Sequence, residues 1–291
     1  MAYLYKAAGS SVNYSHSLDQ QPDPQEFHMH AHDVFEIYFF IAGNGTYAVE
    51  STVYPLRPGC ILLMRPGEVH RLNIRQDTAY ERAVLQFREQ AIPDGGLRQR
   101  LLEPFLQRPL GTDNCLCAEE YDSPFFRSCL SYVERHPQRQ SPDQLFSTLL
   151  PALLAELCES YARRQAAKPA QADGAAPAAS RMRDILAYVN EHLLDELTLE
   201  ELSEHFYLSK SQIGRLFLSA TGSAPWEYIL VKRLIEARRQ MLAGVPITRA
   251  AANCGFRDYS AFYRAYKKRY GVSPAAERTK CYDNSEKMWK N

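Results

Sequence analysis

Three histidines and a glutamate carry the spacing most able to do chemistry near the start of this chain: His30-x-His32-x-x-x-Glu36, with His70 following in Pro66-Gly67-x-x-His70. Three imidazoles and a carboxylate form a plausible ligand set for Zn, Mn, Fe or Ni. The bland alternative is a β-structure whose histidines are satisfied by backbone. Geometry sets a condition for a metal site. On an unbroken strand His32 and Glu36 would stand about 13 Å apart at ~3.3 Å per residue, so the chain must turn between them. Phe27, Tyr38, Phe40, Tyr47 and Arg65 could line the same interior, although aromatics at strand spacing are more often core than ligand contacts.

A second set of residues, near the other end, suits nucleic acid. Ile247 to Pro274 reads ITRAAANCGFRDYSAFYRAYKKRYGVSP: a short alanine-rich helix, a turn at Gly255, then a helix crowded with tyrosine and cations. Ala250, Ala251 and Ala252 keep the first helix slim where the second crosses it, and Gly255 supplies a positive φ. Asp258 is placed to cap the second helix, with Phe262 and Tyr266 as its buried face. Tyr259, Ser260, Tyr263, Arg264, Lys267 and Lys268 fall outside that face. Cations interleaved with planar hydrogen-bonding side chains suit DNA phosphates and base edges.

Upstream, Leu197 to Gly222 repeats the helix-turn-helix grammar. Thr198-x-x-Glu201 and Ser209-x-x-Gln212 are two capping boxes, each opening a helix. In the second, Ile213, Leu216 and Phe217 recur at helical spacing, leaving Lys210, Ser211, Gln212, Gly214 and Arg215 on other faces. Pro225, Gly244 and the apolar set Trp226, Ile229, Leu230, Leu234, Ala237, Met241 and Leu242 describe one amphipathic connecting helix.

The elements around the histidines are β-structure. Val34 to Ile41 is an apolar run broken by Glu36, Asn44-Gly45 reads as a hairpin turn, and Thr46 to Val53 follows it. Pro58-Gly59 and Pro66-Gly67 bracket a buried strand, Cys60 to Met64. Many short strands with Gly/Pro turns predict a sandwich or barrel. From Ser123 to Arg164 the period changes to 3.6. Phe125, Phe126, Cys129, Leu130 and Val133 give one helix face, and Leu145 through Tyr161 gives a longer, leucine-rich one. That stripe must be buried against the flank of the barrel or against a second subunit. Pro151 starts or kinks a helix. Gln165 to Ser180, QAAKPAQADGAAPAAS, lacks large apolar residues and reads as a flexible linker.

The residues from about Arg181 to Arg278, above all Gly255-Phe256 and the closing Gly271-x-Ser273-Pro274, resemble the DNA-binding domain of the AraC/XylS family of transcription regulators. Phe27 to Leu72 resembles both motifs of the cupin superfamily, with Asn73 one place short of the asparagine that often closes the second. In this order the two resemblances imply an effector barrel, helices that dimerise it, and a seven-helix domain with two helix-turn-helix units. They also imply base-reading positions at Ser211, Gly214 and Arg215 and at Tyr259, Ser260 and Arg264, with Gly214 unable to read anything. Cys254 and Tyr266 replace the larger charged residue and the phenylalanine more usual there. Enzymatic cupins bind metal with this histidine pattern, whereas regulators of this family commonly keep the histidines in an effector pocket without metal.

Charge is consistent with DNA. The whole chain balances 34 basic against 34 acidic residues, but Phe206 to Lys280 holds 14 Lys/Arg against 4 Asp/Glu. Seven cysteines without C-x-x-C spacing give neither a disulfide framework nor a zinc finger, and Cys115-x-Cys117 is too short to mean much. No secretory start and no span of about 18 apolar residues is present, which predicts a cytoplasmic protein without membrane partners. The expected fold is therefore α+β in two domains: a cupin-like barrel over 1–120 with a helical dimerisation segment over 121–164, a linker over 165–180, an all-α double helix-turn-helix domain over 181–280, and a tail over 281–291. The expected function is a ligand-responsive regulator, not an enzyme, acting on promoter DNA as a homodimer, with RNA polymerase as a further partner if it activates. Its effector is a small molecule such as a sugar or aromatic acid. No cofactor is required; a divalent transition metal in the barrel belongs to the competing reading, a metal-dependent cupin enzyme with an appended DNA-binding domain.

Overall fold

Nine strands and two short helices precede the first long helix in the computed structural model, which describes residues 2–135, 141–167 and 177–279. They are β1 (Ala2–Ala8), β2 (Val12–Asp19), β3 (Phe35–Ala42), β4 (Gly45–Val49), β5 (Thr52–Pro55), β6 (Ile61–Met64), β7 (His70–Ile74), β8 (Tyr80–Phe87), α1 (Gly96–Leu101), α2 (Glu103–Leu106) and β9 (Cys115–Leu116). The strands form a six-stranded sheet, β1-β2-β8-β3-β6-β9, and a three-stranded sheet, β5-β4-β7. Strand parity sorts the side chains. Ile37, Phe39, Ile61, Leu63 and Leu85 enter one apolar cluster, while Tyr38, Phe40, Leu62 and Met64 enter another with Tyr47, Val49 and Leu72 of the smaller sheet. Both faces of β3 and β6 are thus covered, which is why neither alternates in sequence.

Asn44-Gly45 does not make a hairpin, because β3 and β4 belong to different sheets; it carries the chain from one to the other. The tight turn lies further on, between β4 and β5, where Glu50 adopts φ 52 and its N–H bonds the Val69 carbonyl. Turn chemistry in the sequence marked a reversal but could not say which strands it paired.

The leucine stripe packs on the flank of the β-domain. Phe126, Leu130 and Val133 of α3 (Ser123–Arg135) and Phe146, Leu150, Leu153, Leu154 and Leu157 of α4 (Pro142–Ala167) pack on the outer face of the large sheet, with Tyr14, Ile37, Phe39 and Leu85. The buried part of the stripe thus packs within its own chain, with Leu145, Leu149 and Cys158 partly buried beside it. Pro151 lies inside α4 and starts no new helix. Of the expected linker, Gln165–Ala167 end α4 and residues 177–180 begin the next helix, so those ends are helical rather than loose. Residues 168–176 and the tail 281–291 lie outside the described residues.

The second unit, Ala178–Asn291, is all helical where described. It holds α5 (Pro177–Glu191), α6 (Leu199–Phe206), α7 (Lys210–Thr221), α8 (Pro225–Leu242), α9 (Ile247–Asn253), α10 (Tyr259–Tyr270) and a helical segment over 274–279. Both capping boxes form: Thr198 and Ser209 accept from the N–H groups of Glu201 and Gln212, whose side chains return the bond. Asp258 caps α10 through the N–H groups of Ser260 and Ala261, and Gly255 and Gly271 take φ 73 at the turns. Helix α8 is less amphipathic than its sequence suggests. Lys232 and Arg233 are buried along with Tyr228, Ile229 and Leu234, whereas Trp226 is 56% exposed. Ala250 and Ala251 are buried at the α9 crossing, but Ala252 faces out.

Candidate functional site

The histidines meet because the chain breaks before β3. His32 lies outside the strand and its Nδ1 bonds the Val34 carbonyl at 2.9 Å, turning its Nε2 back to within 2.9 Å of Glu36 Oε2. His30 and His70 exchange backbone hydrogen bonds of 2.9 and 2.8 Å, stitching this segment to β7. The ring centroids lie 4.3 Å (His30 to His70), 5.0 Å (His32 to His70) and 6.3 Å (His30 to His32) apart. Ligating atoms of His32, Glu36 and His70 lie within 4.8 Å of one another.

Hydrogen bonding sets the tautomers. Nδ1 of His30, His32 and His70 each faces a backbone carbonyl, of His28, Val34 and Glu68, at 3.0, 2.9 and 2.8 Å. A carbonyl only accepts, so each Nδ1 carries hydrogen and each neutral ring keeps its lone pair on Nε2. His70 Nε2 is buried without a hydrogen-bond partner. Burial, then the neighbouring His30 and His32, push His70 well below the ordinary histidine range. Burial alone would lower His32 as well, but the Glu36 carboxylate overrides it and raises it. Glu36, despite its burial, is held below the usual carboxylate range by His32. The site thus sets a histidine raised by its carboxylate partner beside a second histidine lowered by burial. Gln86 Nε2 supports the carboxylate at 2.7 Å.

The turn before His70 is fixed by an ion pair that the sequence did not signal. Arg108 grips Glu68 through Nη1–Oε1 at 2.7 Å and Nη2–Oε2 at 2.8 Å, both side chains fully buried, and the Gly111 N–H and Asn114 Nδ2 complete the shell. Bidentate geometry and full hydrogen bonding are what such a buried pair requires.

Beside the histidines opens a cavity of about 590 Å³, whose lining includes Phe27, His30, Glu36, Tyr38, Tyr47 and Arg82. Phe40 is not among them; it is fully buried in the core. Arg65 is absent too, its guanidinium donating to the carbonyls of Leu106 and Arg108. In their place β8 contributes Tyr80, Arg82, Val84 and Gln86. Their even spacing in YERAVLQF is the signal that could have found them. Tyr80 and Tyr38 share a 2.6 Å hydroxyl contact, and the Arg82 guanidinium lies 4.4 Å from the Tyr80 ring centre.

On α10, Tyr259, Ser260, Arg264, Lys267 and Lys268 are exposed and Tyr263 half-buried, opposite the buried Phe262 and Tyr266. The Tyr266 hydroxyl donates to Glu277, which Arg238 also binds, so the hydroxyl of this tyrosine is satisfied. On α7, Lys210, Ser211, Gln212 and Arg215 are exposed. Gln212 is less free than expected because its Oε1 accepts from Ser209 N at 2.8 Å in the capping box, and Lys210 pairs with Glu200. Leu218, one turn beyond Gly214 and Arg215, is 62% exposed. Arg233 of α8 joins the two motifs, donating to the carbonyls of Leu193 and Asp195 ahead of α6 and to that of Gly255 in the second turn.

Residues 17–179 match the AraC-like ligand binding domain family, and residues 202–280 match a helix-turn-helix domain family. The first match alone spans more than half of the sequence, and the chain belongs to the AraC family of transcriptional regulators. Among its relatives is the probable transcriptional regulator LumQ of Photobacterium leiognathi, 37% identical over 89 residues, 30% of this chain and 36% of LumQ. The chain thus spans about a third of that relative. The arabinose operon regulatory protein of Salmonella typhimurium is 27% identical over 244 residues, 83% of this chain and 82% of that protein. The DNA-binding domain of AdpA, solved with a target DNA, is 31% identical over 36% of this chain and 92% of that structure, with a TM-score of 0.33.

Proposed function

We propose that the protein is a cytoplasmic, ligand-responsive regulator in which a small polar molecule occupies the β-pocket and the two exposed helix faces bind promoter DNA as a homodimer, without enzymatic turnover. Contact with RNA polymerase follows if it activates. The observation that carries this reading is the pairing of a cavity at the histidines that bears Glu36, His30 and Arg82 with two capped, cation-bearing helices in a separate unit. Glu36, His30, Arg82 and the tyrosine hydroxyls offer both hydrogen-bonding signs to a sugar, while the carboxylate of an aromatic acid would face Arg82. The test is a thermal-shift screen of sugars, sugar acids and aromatic acids, followed by DNA-binding titrations with each hit, since a ligand bound only to the native state stabilises it. Hits that change DNA affinity support the reading; hits that leave it unchanged remove the regulatory role of the pocket.

A second reading of the cluster is favoured by one observation, the buried and unpartnered His70 Nε2. With His32 Nε2 and the Glu36 carboxylate, whose ligating atoms lie within 4.8 Å, it fits a divalent transition metal, the Nδ1–H of each histidine being tied to a carbonyl as ligating histidines require; His30 stands outside this group. Such an ion would supply a Lewis-acidic anchor for an effector hydroxyl or carboxylate, and no catalysis is needed for that role.

A further inference from the structure

We propose that Cys60 and Cys117 form a reversible disulfide-forming modification site in the effector domain, oxidised by a peroxide-class oxidant. The argument starts from register. Strands β6 and β9 are antiparallel with Ile61 opposite Leu116 and Leu62 opposite Cys115, and the same register carried one residue past the strand ends sets Cys60 opposite Cys117. The Leu63 N–H bonds the Asn114 carbonyl at 2.8 Å, so residues 63 and 114 form a hydrogen-bonded pair. Alternation then makes 61 and 116 hydrogen-bonded, and 60 and 117 a non-hydrogen-bonded pair. In such pairs the Cα atoms stand about 4.5 Å apart with side chains close on one face, inside the ~4.4–6.8 Å that a disulfide spans.

The surroundings agree. Cys60, Leu62 and Cys115 share one face and one cluster, with Cys117 packed against it. All six described cysteines are free thiols. Cys60 is buried, whereas Cys117 is partly exposed and opens the pair to a small oxidant. Hydrogen bonds from the Cys115 thiol, the Arg57 backbone and the Cys117 thiol hold the Cys60 thiol below the ordinary cysteine range, against its burial. Cys117 is raised by burial and by Cys60. One sulfur is thereby the thiolate nucleophile and its neighbour keeps the proton.

The chemistry balances in two steps. The Cys60 thiolate attacks one peroxide oxygen, the O–O bond breaks, and the released hydroxide takes a proton to leave as water, giving a sulfenic acid. Cys117 sulfur then attacks the Cys60 sulfur, the S–O bond breaks, and a second water departs with the remaining thiol proton. Two thiols are oxidised by two electrons and one peroxide is reduced to two waters. The product would pin the edge strand β9, and the chain leading into α3, to β6.

The test treats the full chain with hydrogen peroxide, blocks remaining thiols with a maleimide, and maps disulfides without reduction. The expected result is a Cys60–Cys117 link within one chain, lost on dithiothreitol treatment, with a melting temperature that rises on oxidation and returns on reduction. Cys117→Ser should abolish both the link and the shift while leaving Cys60 trapped by dimedone. Full maleimide labelling of Cys60 after peroxide, a link through Cys115 instead, or a link between chains would each overturn the proposal.

Discussion

Arg233 Nη1 lies 3.2 Å from the carbonyl oxygen of Gly255, in the turn of the second helix-turn-helix, while its other nitrogens hold the Leu193 and Asp195 carbonyls at 2.9 and 2.7 Å. One side chain thus ties the approach to the first motif to the turn of the second, and the contact depends on Gly255 having no side chain: a Cβ there would meet the Arg233 guanidinium at 2.8 Å. Rigid spacing between two recognition helices is what simultaneous entry into two grooves demands.

Arg233→Met should therefore leave three carbonyls short of a donor and destabilise the helical unit by about 2 kcal/mol, read by urea denaturation. It should also weaken operator binding more than binding to a half-site. An unchanged denaturation midpoint would show that water replaces the guanidinium at no cost.

Arg264→Ala should weaken specific operator binding by roughly 1–3 kcal/mol and relax base preference at one position, measured by competition against single-base operator variants. Equal loss on specific and random DNA would reduce its role to a phosphate contact.

A fragment spanning Arg181 to Asn291 should fold alone and protect two major-groove segments on one DNA face, about 10 base pairs apart. Its affinity should fall steeply with salt as counterions are released. Footprinting decides: protection of a single groove is incompatible with two DNA-reading helices.

His32→Ala separates the two readings of the barrel. If the cluster holds a divalent ion, elemental analysis of the purified wild type finds near-stoichiometric metal, and the variant loses it together with thermal stability. If the cluster only binds effector, elemental analysis is blank, and the variant keeps its fold and basal DNA binding while losing the ligand response.

Asp143 predicts an acid limb of stability. Its carboxylate accepts from the N–H groups of Ser10, Ser11 and Val12 and both serine hydroxyls, anchoring the β1–β2 turn to α4. Partial burial opposes ionisation, but the Ser11 and Ser10 N–H groups hold the carboxyl at about 2. A depressed carboxyl contributes stability above its unfolded value of ~3.9, and that contribution is lost as pH falls toward the folded value. Asp143→Asn should flatten this part of the melting-temperature profile and cost about 1 kcal/mol at neutral pH.

Local chemistry in the sequence was enough for the helical half. Capping boxes, the Asp258 cap, Gly255 and Gly271 act within four residues of themselves, so Thr198, Ser209 and Asp258 announce their helices without knowledge of anything distant. The His30, His32, Glu36 and His70 set was also legible, because motif spacing survives without coordinates. The partners were not. Which sheet β4 joins, that Arg108 closes on Glu68 across 40 residues, that Tyr80 and Arg82 rather than Phe40 and Arg65 face the cavity, and that Cys60 stands opposite Cys117 all depend on register between distant strands. Strand parity gives each side chain one of two faces but not which face meets the pocket, and only packing of the two sheets and the α3–α4 flank makes that choice.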